Sequence, residues 1–383
     1  MADFSFKDGA WTFLAKRGDE ISLKELSQQE KEMFEAADKV EWEAILSTGA
    51  VKVISGKAAE EARKKFPHRV ISSRMVRRKK PQPGLHQWKA KSRWCLHGHT
   101  DPDTGTLVTY ARTPQGEGMM AFLLVSACQK LKISFGDIKN AFCQSKKLHR
   151  PMGPLFAEPC EGLNLPTGSL ISIEVPVYGL DDAPASWRLT VTEFLTENLG
   201  FVRNLVEPCW FSKFDERDQS PIAHILVEVD DFIISAKPTY HAKLKQLLTN
   251  RFHFGKWEDD NAEYAGRFVS CKGDRIEVDQ SNYILEQIHP IILPKGRRQH
   301  PSDLLSSTEF EAFRSLIYRI NWVGKETRPE VSGTASIMAS KLKQARIKDI
   351  LTDQQSCQLF AKFSQSTFNP VVIRSERHVF CSL

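Results

Sequence analysis

Two adjacent aspartates in an otherwise apolar, strand-like segment constrain the fold of this chain more than any other feature. The segment is "HILVEVDDFIIS", and Asp230 and Asp231 lie in its middle. Burying unpaired carboxylates costs on the order of several kcal/mol, and two like charges about 4 Å apart repel by roughly 4 kcal/mol at an effective dielectric constant of about 20. Because strand side chains alternate between faces, we predict a tight hairpin that exposes this pair at one end of a sheet.

A third carboxylate lies at the end of another strand-like segment, "ISFGDIKNAF", which reaches Asp137. Three carboxylates on adjacent strands would suit two Mg²⁺ ions about 3.5–4 Å apart, the arrangement that polymerases and nucleases use at phosphorus. One ion would activate the attacking hydroxyl and the other would stabilise the leaving oxygen. The alternative is a solvated turn, because Asp-Asp pairs are common in loops.

Helical and strand patterns alternate along the chain. Ser27 and Glu30 form a possible capping box in the first helical pattern, and Gly273-Asp274 is typical of a hairpin turn. Consecutive strands pair as hairpins, which predicts an antiparallel α+β sheet rather than a doubly wound one. The helical patterns cover residues 19–50, 115–131, 183–199, 240–252 and 307–342.

A block of basic residues lies between Ala62 and His99, which contains no Asp or Glu. Such a block is typical of a phosphate-binding surface, and the alternative is a solvated or disordered basic stretch. Its members are Arg63, Lys64, Lys65, Arg69, Arg74, Arg77, Arg78, Lys79, Lys80, Lys89, Lys91 and Arg93.

The composition is ordinary for a globular protein, with 41% hydrophobic and 26% charged residues and a net charge of +6. The 8 cysteines are scattered, which argues against a zinc site and a disulfide framework. The start "MADFSFKDGAW" lacks the pattern of a signal peptide, and the longest apolar run is about half a membrane span. We therefore expect a soluble intracellular protein without a membrane partner, in the cytoplasm or the nucleus.

Three motifs, in order, resemble the reverse transcriptase of copia-type LTR retrotransposons. They are "GDIKNAF", "VYGLDDAPASW" and "VEVDDFII", each about forty residues after the one before. The matching family patterns are D-V-K-N-A-F, L-Y-G-L-K-Q-A-P-R-x-W and Y-V-D-D. With the further segments "KAKSRWCLHGH", "EYAGRFVSCKGDRIEVDQSNYI" and "FRSLIYRINWVGKETRPEVSGTASIM", the resemblance covers about residues 36–345.

The resemblance implies a right-hand polymerase fold: a palm with an antiparallel sheet covered by helices on one face, plus fingers and a small thumb. No zinc knuckle, protease or integrase motif is found, so we expect a fragment of a longer retrotransposon polyprotein whose integrase and RNase H domains lie elsewhere. The expected parts are an N-terminal extension (1–35), fingers with the first palm elements (36–135), palm (136–300), thumb or connection helices (301–348) and an atypical truncated tail without an RNase H domain (349–383).

The implied activity is RNA-directed DNA polymerisation, in which nucleotides from dNTPs are transferred to a primer 3′-hydroxyl. Asp137, Asp230 and Asp231 would be the catalytic ligands of two Mg²⁺ ions, for which Mn²⁺ could substitute. A metal-dependent nuclease would use the same carboxylates. The basic block would bind a template–primer duplex of RNA or DNA, and this binding would be salt-dependent.

Three residues are implied in dNTP binding. Lys91 and Arg93 match the fingers positions that hold the triphosphate, with generic backbone-phosphate binding as the alternative. Phe142 matches the steric gate against the ribose 2′-hydroxyl, and its alternative role is a core aromatic. The "YGLDDAPASW" segment would lie beside the templating base and primer, where Gly179 would allow close backbone approach.

The sequence departs from the family at two places. Glu228 replaces the tyrosine before V-D-D, and Asp181-Asp182 replaces the Lys-Gln pair before A-P. The first change adds a carboxylate beside metal and phosphate, and the second removes an amide expected near the template. An inactive remnant that still binds nucleic acid is therefore the alternative to an active polymerase.

Overall fold

The computed structural model of the protein describes residues 20–81, 88–273, 275–352 and 371–374. These residues form two compact units. The first unit contains the described parts of Met1–Thr113 and Ile138–Phe201, and the second contains those of Pro114–Asp137 and Val202–Leu383. The finer division into fingers, palm and thumb remains a prediction.

The secondary structure is mixed throughout. The helices are α1 (Gln28–Ser47), α2 (Lys57–Lys65), α3 (Gly116–Cys128), α4 (Ala183–Glu193), α5 (Pro238–Arg251), α6 (Ser281–Gln287), α7 (Lys295–Arg298), α8 (Ser307–Glu326) and α9 (Ser332–Ser340). The strands are β1 (Val51–Ile54), β2 (Val70–Ile71), β3 (Ser73–Pro81), β4 (Trp88–Leu96), β5 (Lys132–Ile138), β6 (Leu155–Ala157), β7 (Leu170–Ile173), β8 (Val202–Arg203), β9 (Trp210–Phe214), β10 (Pro221–Glu228), β11 (Asp231–Ala236), β12 (Phe254–Asp259), β13 (Asn261–Tyr264), β14 (Arg267–Lys272), β15 (Arg275–Asp279) and β16 (Val371–Arg374).

The first unit combines a four-stranded sheet, ordered β1-β7-β6-β2, with the antiparallel hairpin β3–β4. Helix α1 packs on this hairpin, and the ring centroids of Trp42 and Trp94 lie 5.3 Å apart. The predicted capping box is confirmed, since the Ser27 hydroxyl accepts from the backbone N–H of Glu30. The box places the start of the α-helix at Gln28, later than the residue 19 at which the sequence pattern began.

The second unit contains a six-stranded sheet ordered β12-β5-β11-β10-β9-β8 and a four-stranded sheet ordered β13-β14-β15-β16. The hairpin β14–β15 has the predicted turn at Gly273, with φ of +64°, whereas Asp274 lies outside the described residues. Strand β16, in the segment expected to be an atypical tail, pairs antiparallel with β15. Helices α6, α8 and α9 enclose a separate core that includes Phe313 and Met338.

The predicted α+β class with antiparallel sheets is confirmed. In the six-stranded sheet, β5, β11, β10, β9 and β8 pair antiparallel in that order. The pairing of β2 with β6 is parallel, an exception inside the first unit. None of the helices within the described ranges is long and apolar enough to cross a membrane.

Candidate active site

The segment "VEVDDFII" forms the predicted hairpin. Strands β10 and β11 pair with Glu228 opposite Asp231, so only Val229 and Asp230 connect them. Val229 has φ of +52°, a conformation that two-residue hairpins require at the first connecting position and that β-branched residues rarely adopt. Asp230 therefore occupies the turn and Asp231 begins the outgoing strand, which confirms the placement of the pair at a hairpin tip. The predicted exposure of the pair is wrong, because both residues are half-buried.

Three carboxylates lie in one row across adjacent strands. Asp231 faces Glu228 on β10 and Asp137 on β5 in the strand register. Directly opposed residues of antiparallel strands project from the same face of the sheet, so Glu228, Asp231 and Asp137 share one face. The predicted approach of Asp137 to Asp231 is thus confirmed, and Glu228 extends the row by one strand.

Burial and like charge raise the affinity of this row for protons. Burial, followed by the charges of Asp230, Asp137 and Glu228, raises the pKa of Asp231 to about 7. Burial also raises the pKa of Glu228, while the positive charge of Arg267 opposes that shift. The site therefore concentrates negative charge that its own cations only partly offset.

Two residues that the sequence reasoning missed border the row. Arg267 is buried and forms a 2.6 Å ion pair with Glu326. Tyr264 is also buried, and its hydroxyl has no hydrogen-bond partner within the described part of the chain. Burial and the charges of Glu228 and Asp231 raise its pKa well above the ordinary value. Both residues belong to the quoted "EYAGRF" segment, whose family likeness was the available signal.

The donor types of the row fit a divalent cation. Carboxylate oxygens are the ligands that Mg²⁺ prefers. The pKa of Asp231 is raised first by burial and then by the neighbouring carboxylates, whose charge a cation would offset. Within the described ranges, no group of three or more His, Cys, Asp or Glu side chains is placed to hold a metal ion. The structure thus establishes the opposition of Asp137 and Asp231 beside Asp230, and a three-ligand metal site remains a prediction.

In the first unit, Tyr178 joins two of the residues expected to bind dNTP. The guanidinium of Arg93 lies 4.5 Å from the centroid of the Tyr178 ring, and the Phe142 ring lies 5.0 Å from it. Lys91 is exposed on the same face of β4 as Arg93. Phe142 is half-buried against the core of this unit, so its alternative role as a core aromatic has structural support. The sequence reasoning did not single out Tyr178.

Gly179 lies against protein backbone. A Cβ at Gly179 would come within 2.1 Å of the carbonyl oxygen of Leu96, and one at Gly98 within 1.9 Å of the carbonyl oxygen of Gly179. The N–H of Leu96 donates to the Tyr178 carbonyl at 2.9 Å. The close approach predicted for Gly179 therefore serves the packing of the Tyr178 segment on the end of β4, and its predicted position beside the template stays a prediction.

The basic block is not a single surface. Arg77 is buried, as is its partner Asp38, 2.6 Å away, and Lys79 pairs with Glu30 of the same helix α1. Arg63 and Arg74 also pair with carboxylates of the chain. Strand alternation explains the division, because one face of the β3–β4 hairpin packs on α1 while the other exposes Lys80, Lys89, Lys91 and Arg93.

Residues 63–295 match the protein family described as reverse transcriptase (RNA-dependent DNA polymerase), which covers more than half of the chain. The chain therefore belongs to this reverse transcriptase family, which is typical of copia-type retrotransposons. No curated protein sequence matches the chain at a significant level.

Two of the solved structures to which the chain shows some similarity are of foamy viral proteins. One is a protease-reverse transcriptase in complex with double-stranded DNA, 12% identical, with a TM-score of 0.43, covering 85% of this chain and 47% of that chain. The other is a foamy viral protease-reverse transcriptase with an RNA/DNA hybrid, 12% identical, with a TM-score of 0.42, covering 77% of this chain and 33% of that chain. The chain spans less than half the length of either protein, and at these scores the likenesses carry no argument about it.

Proposed function

We propose that this chain is an RNA-directed DNA polymerase that transfers nucleotides from dNTPs to a primer 3′-hydroxyl. The observation that supports the proposal most is the register that sets Asp231 opposite Asp137, with Asp230 in the adjoining turn, in a chain of the reverse transcriptase family. If Asp230 and Asp231 were only part of a solvated turn, nothing would require Asp137 to lie directly opposite Asp231.

Asp137, Asp230 and Asp231 are the residues that would hold Mg²⁺, with Mn²⁺ as a substitute. Two such ions, when bound, supply activation of the attacking hydroxyl and stabilisation of the leaving oxygen. The carboxylates themselves set the sign of the local potential, which favours cations and opposes the approach of phosphate in their absence. Glu228 adds to that potential from the neighbouring strand.

Arg93, Lys91 and Phe142 would bind the incoming nucleotide. The guanidinium of Arg93 is planar and suits bidentate pairing with phosphate, and stacking on Tyr178 limits its orientations before the nucleotide arrives. Lys91 adds a second positive charge on the same strand face. Phe142, packed against Tyr178, would exclude a ribose 2′-hydroxyl by its bulk.

The exposed face of the β3–β4 hairpin would contact the template–primer backbone through its lysines and arginines. Each phosphate that such a side chain neutralises releases counterions, so affinity should fall as salt concentration rises. The buried Arg77 and Arg69 take no part, because their guanidiniums are paired with Asp38 and Asp103.

Primer extension tests the proposal. The substrate is a DNA primer on an RNA template, with dNTPs and Mg²⁺ and then Mn²⁺, and product length is read on a sequencing gel. The control is the double variant Asp230→Asn/Asp231→Asn, which preserves side-chain size. We expect lengthening with the unaltered chain and none with the variant, whereas shortening of the primer or template would indicate a nuclease.

An inactive remnant that binds nucleic acid is the second candidate, and Glu228 is the observation that favours it. Its carboxylate lies opposite Asp231, where the family has a tyrosine, and it adds to the raised pKa of that aspartate. Duplex binding without extension in either metal would support this candidate. Extension that improves in Glu228→Tyr would instead identify Glu228 as a tolerated hindrance in a working polymerase.

A further inference from the structure

Arg150 is the centre of a buried ionic cluster in the first unit. Its guanidinium donates to both carboxylate oxygens of Asp182, at 2.6 and 2.9 Å, and to Asp101 at 3.0 Å. Asp103 lies 3.4 Å away and is shared with Arg69, which it contacts at 2.7 Å. The side chains of Arg150 and Asp101 are each 2% exposed, so water contributes little to satisfying these charges.

The cluster joins the ends of three segments that meet at Tyr178. Asp101 follows β4, the strand that carries Lys91 and Arg93. Arg150 follows the helical turn Ala141–Gln144, which contains Phe142. Asp182 follows Tyr178 by four residues and immediately precedes α4. Each segment that contributes to the Tyr178 contacts is therefore tied, a few residues further along, to the same guanidinium.

The contacts around Tyr178 leave it little freedom. Its carbonyl accepts from the N–H of Leu96, and the close approach of Gly98 and Gly179 holds the two backbones together. Its ring contacts Arg93 on one strand and Phe142 on another segment. The mutual position of Arg93 and Phe142 thus depends on how the Tyr178 segment is held. The Arg150–Asp182 pair is a further contact of that segment, four residues after Tyr178.

We propose that Arg150 and Asp182 are positioning residues of a dNTP-binding site, holding Tyr178 so that Arg93 and Phe142 meet the triphosphate and the sugar of the same nucleotide. This inference rests on the nucleotide-binding role given above to Arg93 and Phe142. It gives Asp182 a purpose different from that of the family's glutamine. Both carboxylate oxygens of Asp182 accept hydrogen bonds from Arg150, so the side chain pairs with a buried residue of the protein.

The two possible roles of Asp182 predict opposite effects of Asp182→Gln. If Asp182 is a damaged form of the family's glutamine, Asp182→Gln should improve nucleotide use. If Asp182 is the partner of Arg150, the same change removes one of the carboxylates that pair with the buried Arg150 guanidinium, and it should weaken nucleotide binding. Asp182→Asn tests the charge with a side chain of nearly unchanged size.

The experiment measures binding of a fluorescent dATP analogue to the chain with a template–primer duplex, and then single-nucleotide incorporation. The variants are Asp182→Gln, Asp182→Asn and Arg150→Lys, and thermal unfolding establishes that each is folded. Arg150→Lys keeps the positive charge but loses the bidentate hydrogen bonds to Asp182. This variant tests the inference if the Asp182 variants do not fold. The matched control is Glu158→Gln, which breaks the pair with Arg63 that joins α2 to the end of β6.

We expect the dissociation constant and the KM for dNTP to rise about tenfold in the Asp182 and Arg150 variants, with kcat and duplex affinity changed by less than about threefold. Discrimination against ribonucleotides should fall as well, because Phe142 loses its fixed position. Glu158→Gln should leave all of these values unchanged. Unchanged dNTP binding in a folded variant, or improved use of dNTP by Asp182→Gln, would overturn the inference.

The same data separate this inference from the proposed activity. If the unaltered chain binds dNTP in a manner that depends on Asp182 but incorporates none, the positioning role stands and the polymerase assignment fails. If the unaltered chain incorporates nucleotides and the variants match it, the polymerase assignment stands and the positioning role fails. A chain that binds no dNTP at all would overturn the positioning role.

Discussion

Replacing Asp231 with asparagine should make the folded chain more stable, although it removes a residue proposed for catalysis. Asp231 is directly opposite two other carboxylates, Glu228 on one side and Asp137 on the other. A directly opposed pair of like charges destabilises antiparallel strands by up to about 1 kcal/mol, so removing two such pairs should stabilise the fold by about 2 kcal/mol. The pKa of Asp231, raised to about 7 by burial and its charged neighbours, has the direction that this repulsion requires.

The assay is equilibrium unfolding in urea with EDTA at pH 8, which is above the pKa of about 7 of Asp231. Asp231→Asn is compared with Glu216→Gln, which removes an exposed carboxylate from the turn between β9 and β10. The control should change the free energy of unfolding by less than about 0.5 kcal/mol. In a chain of 383 residues, a gain of about 2 kcal/mol would raise the melting temperature by roughly 3 °C.

Divalent cations should reduce this difference in stability. Mg²⁺ or Mn²⁺ that binds only the folded chain adds stability in proportion to the logarithm of its concentration over the dissociation constant. The unaltered chain should gain more than Asp231→Asn, because the variant has lost one proposed ligand. If Asp231→Asn proves less stable than the unaltered chain in EDTA, the opposed carboxylates do not repel each other appreciably.

Three further outcomes are expected. Glu309→Gln should destabilise α8 by about 1 kcal/mol at pH 7, because Arg297 and the capping hydrogen bonds lower the pKa of the Glu309 carboxyl to about 2. This stabilisation is present above the pKa of the unfolded state and disappears as the pH falls toward 2. The melting curves of the two forms should therefore converge in acid. Phe142→Val should increase ribonucleotide incorporation relative to deoxynucleotide incorporation, measured as the ratio of kcat/KM values, and an unchanged ratio would assign Phe142 to the core alone. Arg77→Met should lower the free energy of unfolding by about 3–5 kcal/mol because it strands a buried carboxylate, whereas Lys89→Met should leave stability unchanged and reduce the salt dependence of duplex binding.

Features that depend on residues close together in the sequence could be predicted from the sequence. Alternation of side chains along a strand was enough to place Asp230 and Asp231 at a hairpin tip, and the structure has that hairpin. The reciprocal hydrogen bonds between Ser27 and Glu30 depend on residues three apart, so the capping box could be identified from spacing alone. The antiparallel class followed from short connections between consecutive strands.

Register and long-range pairing lay beyond such rules. That Glu228, Asp231 and Asp137 form one row depends on how β5 pairs with a strand about ninety residues later, which no local spacing determines. The cluster around Arg150 joins residues from distant parts of the chain, and its members read in sequence as ordinary loop charges.

The burial of the basic block also depends on long-range packing. Alternation alone separates Arg77 and Lys79 from Arg78 and Lys80, but only the position of α1 decides which face is buried. The block therefore looked like one surface in the sequence, whereas in the structure one face of the hairpin packs on α1 and the other is exposed.

We propose that the aspartates of the hairpin belong to a template-directed polymerase. The most direct measurement is incorporation of a single labelled nucleotide onto a DNA primer by the unaltered chain, with each of the four dNTPs offered separately against a known templating RNA base. We expect incorporation of the complementary dNTP, dependent on Mg²⁺ or Mn²⁺ and lost in Asp137→Asn. Tight binding of the duplex without incorporation of any nucleotide, in either metal, would contradict it.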